Sequence, residues 1–213
     1  MGKTYIEKHA NQVIFFLAIL IATLVTALAV WKADSVEAAR TQEHLAKEVL
    51  RFHVLANSDS REDQALKLKV RDRILLWMKD TMPQGMDVQE TTQWIRRRTD
   101  TLEEIAREVL QENASDQTVS AAVTTCYFPE KTYGDLTFPA GNYEALRVEL
   151  GEAKGHNWWC VLYPELCFWD TTNAVLPDEG KQKLRNVLTE EEYSQITSQT
   201  KFKIKWFFLG DDK

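Results

Sequence analysis

Arg51-Phe52-His53-Val54-Leu55-Ala56-Asn57-Ser58-Asp59-Ser60-Arg61-Glu62-Asp63-Gln64-Ala65-Leu66-Lys67-Leu68-Lys69-Val70-Arg71-Asp72 reads as a short strand, a polar turn and the start of a helix. Phe52, Val54 and Ala56 alternate with His53 and Leu55, the period of a strand about five residues long. Asn57-Ser58-Asp59-Ser60 then offers four consecutive residues able to cap a helix. Asp59 with Glu62 three residues on matches a capping box, aspartate standing in for Ser or Thr. Leu66, Val70, Ile74 and Trp77 follow at helical spacing, with Lys67, Lys69, Arg71 and Arg73 on the other side. Asp63 and Lys67 are spaced for an i,i+4 ion pair. A strand running into a capped helix leaves backbone N–H groups pointing outward, so it is a place where sites form as well as an ordinary connection.

Working outward, residues 13–31 form an apolar run of about 19 residues without a charge, long enough to span a bilayer. Lys3 and Lys8 before it place the N-terminus on the cytoplasmic side. Ala27-Leu28-Ala29 fits the small-x-small pattern of a signal-peptidase site, so the segment is a signal peptide or a retained anchor. Either way the bulk of the chain is expected outside the cytoplasm, secreted or N-terminally anchored, meeting the membrane only through this segment. Residues 35–50 read as a lead-in helix with a Glu43→Lys47 pair. Met82-Pro83-Gln84-Gly85 breaks the basic helix. Asp87 to Glu90 opens another, with Ile95, Leu102, Ile105, Val109 and Leu110 on one side. Arg96-Arg97-Arg98 on its other side is read as a solvated face paired with Asp100, Glu103 and Glu104.

The second half changes character. Residues 118–128 are β-branched and roughly alternating, residues 144–150 alternate again, and 158–162 read as a further strand. Thr189 and Glu192 make a capping box for a late helix, and residues 202–209 suggest a closing strand. Helices and strands first alternate and then strands run together. The expected fold class is therefore α+β (mixed α/β): one domain with an at least partly antiparallel sheet and two or three long amphipathic helices. The boundaries read as 1–31 signal or anchor, 32–50 lead-in helix, 51–209 single domain and 210–213 tail.

Hydrophobic content of 44% and charged content of 27% are globular values. A net charge of −6 argues against a general nucleic-acid binder, which needs a basic face. No Gly-x-Ser-x-Gly, Walker loop or dinucleotide fingerprint is present, so no catalytic residue and no cofactor is assigned. His53, His156, Cys160 and Cys167 lack the usual zinc-ligand spacings, so no metal is assigned either. Cys160 and Cys167 either pair as a disulfide across a turn at Tyr163-Pro164 or stand as two buried thiols. A Cys–His hydrolase built on Cys160 with His53 or His156 has the right residue types. Against it, Cys160 sits in an apolar strand pattern, where it reads as a small hydrophobe. Gly155-His156-Asn157-Trp158-Trp159 has the composition of an interface anchor.

The opening run resembles the signature of the stage II sporulation protein R family. So do Lys131-Thr132-Tyr133-Gly134-Asp135 through Tyr143-Glu144-Ala145-Leu146-Arg147-Val148, and Gly155-His156-Asn157-Trp158-Trp159-Cys160-Val161-Leu162-Tyr163-Pro164. The resemblance implies a signalling protein exported by the developing forespore. It would trigger a membrane-embedded aspartic protease, which matures a sigma factor in the mother cell. Under that reading the partner-binding candidates are His53, Asn57, Ser58, Asp59, Asp63, Gln64, Lys67, Arg71, His156, Asn157, Trp158 and Trp159. The runner-up is an exported hydrolase acting on the cell wall or a peptide.

Overall fold

Both faces of the strand Leu50–Leu55 are covered, and all six of its residues are buried. A half-buried strand alternates polar with apolar residues, but one at the centre of three layers must bury everything it carries, here including Arg51 and His53. The computed structural model describes residues 2–164, 167 and 178–198. In chain order these form α1 (Gly2–Glu48), β1 (Leu50–Leu55), α2 (Arg61–Thr81), α3 (Val88–Arg96), α4 (Thr99–Glu112) and β2 (Val119–Phe128). There follow β3 (Lys131–Tyr133), β4 (Leu136–Phe138), β5 (Gly141–Leu150), β6 (Asn157–Tyr163), α5 (Asp178–Val187) and α6 (Glu190–Ser198). The closing strand expected over residues 202–209 lies outside the described residues.

The chain divides into two compact units, residues 1–41 and 42–213. In the first, α1 is helical throughout, with its apolar side chains from Val13 to Trp31 exposed. It is long and apolar enough to cross a membrane. The second unit is a mixed α/β fold around a sheet of order β2-β5-β1-β6. β1 runs parallel to β5, while β1–β6 and β2–β5 are antiparallel.

One face of the sheet presents Leu50, Phe52, Val54, Leu146, Val148, Cys160 and Leu162 to Ile74 and Met78 of α2, Ile95 of α3 and Leu102 and Val109 of α4. The other face carries Tyr143, Ala145 and Val161. It is covered by Leu136 and Phe138 of the β3–β4 hairpin, Leu184 of α5 and Ile196 of α6, with Leu45 and Val49 beside them. Each large apolar side chain so buried contributes roughly 1.5–3 kcal/mol.

Local signals account for several boundaries. The box at Asp87 and Glu90 is formed in both directions, at 2.8 and 3.1 Å. So is the one at Thr189 and Glu192, and Lys47 pairs with Glu43 at 3.0 Å. The arginine triplet departs from expectation. The helix is interrupted there, α3 ending at Arg96 and α4 starting at Thr99. Arg96 pairs with Glu144 at the head of β5, and the Arg98 guanidinium lies 4.2 Å above the Trp94 ring while donating to Trp94 O. A break in the helix turns these side chains away from the acids one turn on.

Among the described residues Arg51 is the largest fully buried side chain. Small Ala145, its register partner on β5, leaves room above the sheet. The guanidinium sits 4.4 Å from the Phe128 ring, 5.2 Å from Tyr143, 5.3 Å from Phe138 and 5.9 Å from Tyr133. It donates to Cys160 O and to the Tyr133 hydroxyl, each at 3.2 Å. Burial pulls its pKa down, yet a guanidinium stays charged. Among the described residues it has no carboxylate partner, and the four rings supply cation–π attraction instead.

Candidate functional site

At the C-terminal end of β1 the chain turns through Asn57–Ser60 and enters α2. The cap is Ser60, in extended backbone, with its hydroxyl accepting from Asp63 N at 3.1 Å. This corrects the expected Asp59–Glu62 box. With Ser60 holding the cap position, Asp59 is one residue too early to reach the first-turn amides. Its carboxylate instead crosses to the loop before β6, accepting from His156 N and the His156 ring Nδ1, both at 2.5 Å. Asp59 is a staple between two segments nearly a hundred residues apart.

Asp63 is the hub of the turn. Its Oδ2 accepts from Ser58 Oγ at 2.5 Å and Asn57 Nδ2 at 2.9 Å, and its Oδ1 from Gln117 Nε2 at 2.6 Å. The expected Asp63–Lys67 pair is not made. Lys67 turns to Gln64 Oε1 at 2.6 Å and to His156 O at 2.9 Å, where Gln64 Nε2 also points. Asn57 Oδ1 accepts from Glu152 N, and Ala56 O from Gly155 N, which ties the β5–β6 loop to the turn. Beside this network the Arg71 guanidinium lies 4.8 Å over the Trp158 ring.

These bonds fix the electrostatics. The Ser58 hydroxyl first, then the Asn57 and Gln117 amides, hold the Asp63 carboxyl below the usual range against the opposing pull of burial. His156 does the same for Asp59. Burial lowers Lys67, with Arg71 adding to it. A depressed carboxyl stabilises the fold fully above its unfolded pKa of about 4, and that stability is lost as pH falls through the lower folded value. In Asp63→Asn the acid limb should therefore flatten. Between about pH 5 and 2, the melting temperature of the parent is expected to drop more steeply than that of the variant. Parallel curves would show that the Asp63 charge is not used.

The candidate residues do not form one site. Asn57, Ser58, Asp59, Asp63, Gln64, Lys67, Arg71, His156 and Trp158 meet at this corner. His53 and Trp159 go to the opposite face of the sheet, paired in register, their rings 5.5 Å apart and edge-on. Asn157, one strand period from Trp159, belongs with them. His53 is 6% exposed, and desolvation, with Arg147 and Arg51 nearby, lowers its pKa to about 4 although Asn157 pulls the other way. It is neutral at physiological pH.

Two residues that complete these surroundings escape a reading of the sequence. Gln117 carries no local signal at all. Arg147 looks like any solvated position of an alternating strand until the β1–β5 register sets it beside His53.

Cys160 pairs with Phe52 across β1–β6 and so faces the helices, away from His53. His156 is occupied by Asp59. Neither histidine is placed to activate the Cys160 sulfur, which lies within bonding distance of Cys167 Sγ, the Cα atoms being 5.7 Å apart. Cys126 is a buried free thiol whose pKa burial raises, an inert setting.

The sequence profile described as Stage II sporulation protein R (spore_II_R) matches residues 46–173, which contain both the corner and the opposite face of the sheet. The chain belongs to the stage II sporulation protein R family. It is 37% identical over 157 residues to the Stage II sporulation protein R of Bacillus subtilis (strain 168), covering 71% of this chain and 68% of that protein. No solved structure matches. Membership in the stage II sporulation protein R family points to a role in sporulation signalling. The matched span begins after the apolar part of α1 and takes in every strand from β1 to β6.

Proposed function

We propose that this protein is an exported signal of endospore formation that activates a membrane-embedded aspartic protease, leading to maturation of a mother-cell sigma factor. On this reading the apolar part of α1 carries the chain to the membrane, as signal peptide or anchor, and residues 42 onward act beyond it. The corner formed by the β1–α2 turn and the β6 loop is the surface offered to the protease. The observation that carries this is the Asp59–His156 staple. A buried polar network fixes its position, while its own side chains stay open, 56% and 81% exposed, next to the Arg71–Trp158 stack. Rigid presentation of an exposed charge, a ring and a guanidinium is what a binding surface needs.

The test is the double substitution Asp59→Ala with His156→Ala. An exposed pair contributes at most about 1 kcal/mol, so the melting temperature should fall by only a few degrees. Processing of the sigma factor, followed by immunoblot in cells that express the protease, is expected to drop at least tenfold. Unchanged processing with a folded variant would return the corner to a purely structural role.

A further inference from the structure

The sheet has two edge strands, β6 and β2, and they are finished differently. On β6 the Trp159 carbonyl accepts from the Tyr133 hydroxyl at 3.3 Å, and Cys167 Sγ sits 3.0 Å from the Val161 carbonyl. On β2 the Ala121 N–H turns away from β5 and donates to Glu103 Oε1 of α4 at 2.9 Å. By the two-residue period of a strand, the backbone groups of Val123, Thr125 and Tyr127 point outward with it. Among the described residues these outward N–H and C=O groups have no partner. Just past them Pro129 has no N–H to offer. The strand Val119–Phe128 carries no charge, Ala122, Thr124 and Thr125 are exposed, and Tyr127 is 66% exposed.

Proteins guard such an edge with charges, bulges or a cover, because an open one is a template for another strand. β2 is stopped by Glu103 at one end and by Pro129 at the other, and is open between. Its side chains indicate which strand fits. Laid antiparallel to itself, with Thr125 opposite the partner's Thr125, the span is self-complementary. Val123 then faces the partner's Tyr127 on both sides of the two-fold axis. A β-branched residue against an aromatic, and Thr against Thr, are favourable cross-strand pairs. Ala121, its N–H already taken, falls opposite the partner's Pro129, so that pair has no N–H left unmet. A net charge of −6 holds two copies apart in general, but no charge lies within this strand to do so.

We propose that the outer edge of β2 is a homodimer interface, at which two copies of this chain pair antiparallel about Thr125. The pairing is isologous and joins two four-stranded sheets into one continuous sheet. The interface is separate from the Asp59–His156 corner, so its failure would leave the proposed function standing.

Full-length protein in detergent micelles tests the register. Cys126→Ala first removes the free thiol next to the position of interest. In that background and a glutathione redox buffer, Thr125→Cys is expected to give a disulfide-linked dimer on a non-reducing gel. Its two Cα atoms would stand about 5.5 Å apart across the axis, a span a disulfide can bridge. Ser120→Cys, exposed on the same strand but opposite the partner's Glu130, should stay monomeric. Charge substitution tests the pairing without thiol chemistry. Thr125→Lys and Thr125→Glu each set like charges face to face, and each alone should weaken the dimer about tenfold in sedimentation runs in density-matched detergent. Mixed in equal amounts, the two should dimerise again, a recovery that misfolding cannot produce. A parent protein that stays monomeric across the concentration series would hand this edge to another polypeptide and overturn the proposal. Cross-linking at Ser120 as strong as at Thr125 overturns it too, as does Thr125→Lys protein that associates as tightly as the parent.

Discussion

Arg51→Ala is expected to lower the free energy of unfolding by about 3–5 kcal/mol, the largest loss from a single truncation in this domain. The side chain is fully buried among four aromatic rings. Removing it leaves a cavity that Phe128, Phe138 and Tyr143 cannot fill, because each is held by the hairpin or the sheet. It also leaves Cys160 O and the Tyr133 hydroxyl short of a donor. Arg51→Met separates packing from charge. Methionine restores most of the volume, makes favourable sulfur–aromatic contacts and abolishes the buried cation, which is itself costly. That variant should stay within about 1.5 kcal/mol of the parent. Urea titrations of both variants read the comparison directly. If Arg51→Ala cost less than about 1 kcal/mol, the cage would be open to water and the burial argument would fail.

Gly155→Ala is expected to cost about 3 kcal/mol and to abolish signalling with it. A Cβ there would fall 2.1 Å from Ser58 O and 2.5 Å from Ser58 C, both backbone atoms that cannot swing aside. Relief requires the β6 loop to back away from the turn. That motion breaks the bond from Gly155 N to Ala56 O, pulls His156 off Asp59, and takes the His156 carbonyl from Lys67. Gly85→Ala is the control. Nothing lies within 4 Å of its Cβ, so only the positive φ of 81° is penalised, at about 1 kcal/mol. Thermal melts that rank the two equally would remove the close approach at Gly155 from the account.

The corner was legible in the sequence because its residues are mostly contiguous and of the capping type, so a strand, a turn and a helix start could be placed from spacing alone. Which of four adjacent polar residues caps was not legible. Ser60 and Asp59 are both competent, and the choice is made by His156, whose amide claims the aspartate from across the fold. Propensity also misjudged β1. Alternation of Phe52 and Val54 with His53 implies one wet face, but the second face is covered by residues from 128 to 196, which no local window contains. The split among the candidates has a local cause instead, the two-residue period of β6. Trp158 and Trp159 are neighbours in sequence and therefore point to opposite sides of the sheet.

β1 is made early, yet its hydrogen-bonding partners are β5 and β6, which end at Leu150 and Tyr163. Until residue 150 has left the ribosome β1 has no strand to pair with, and until residue 163 has followed it lacks its second partner. The domain therefore cannot condense around its own centre until well past the middle of synthesis. Helices α2 to α4 can form locally, but the nucleus that matters waits for contacts about a hundred residues apart, a topology that folds slowly. A protein built this way remains an unfolded, threadable chain for most of its synthesis, the state in which a polypeptide can pass through a narrow channel.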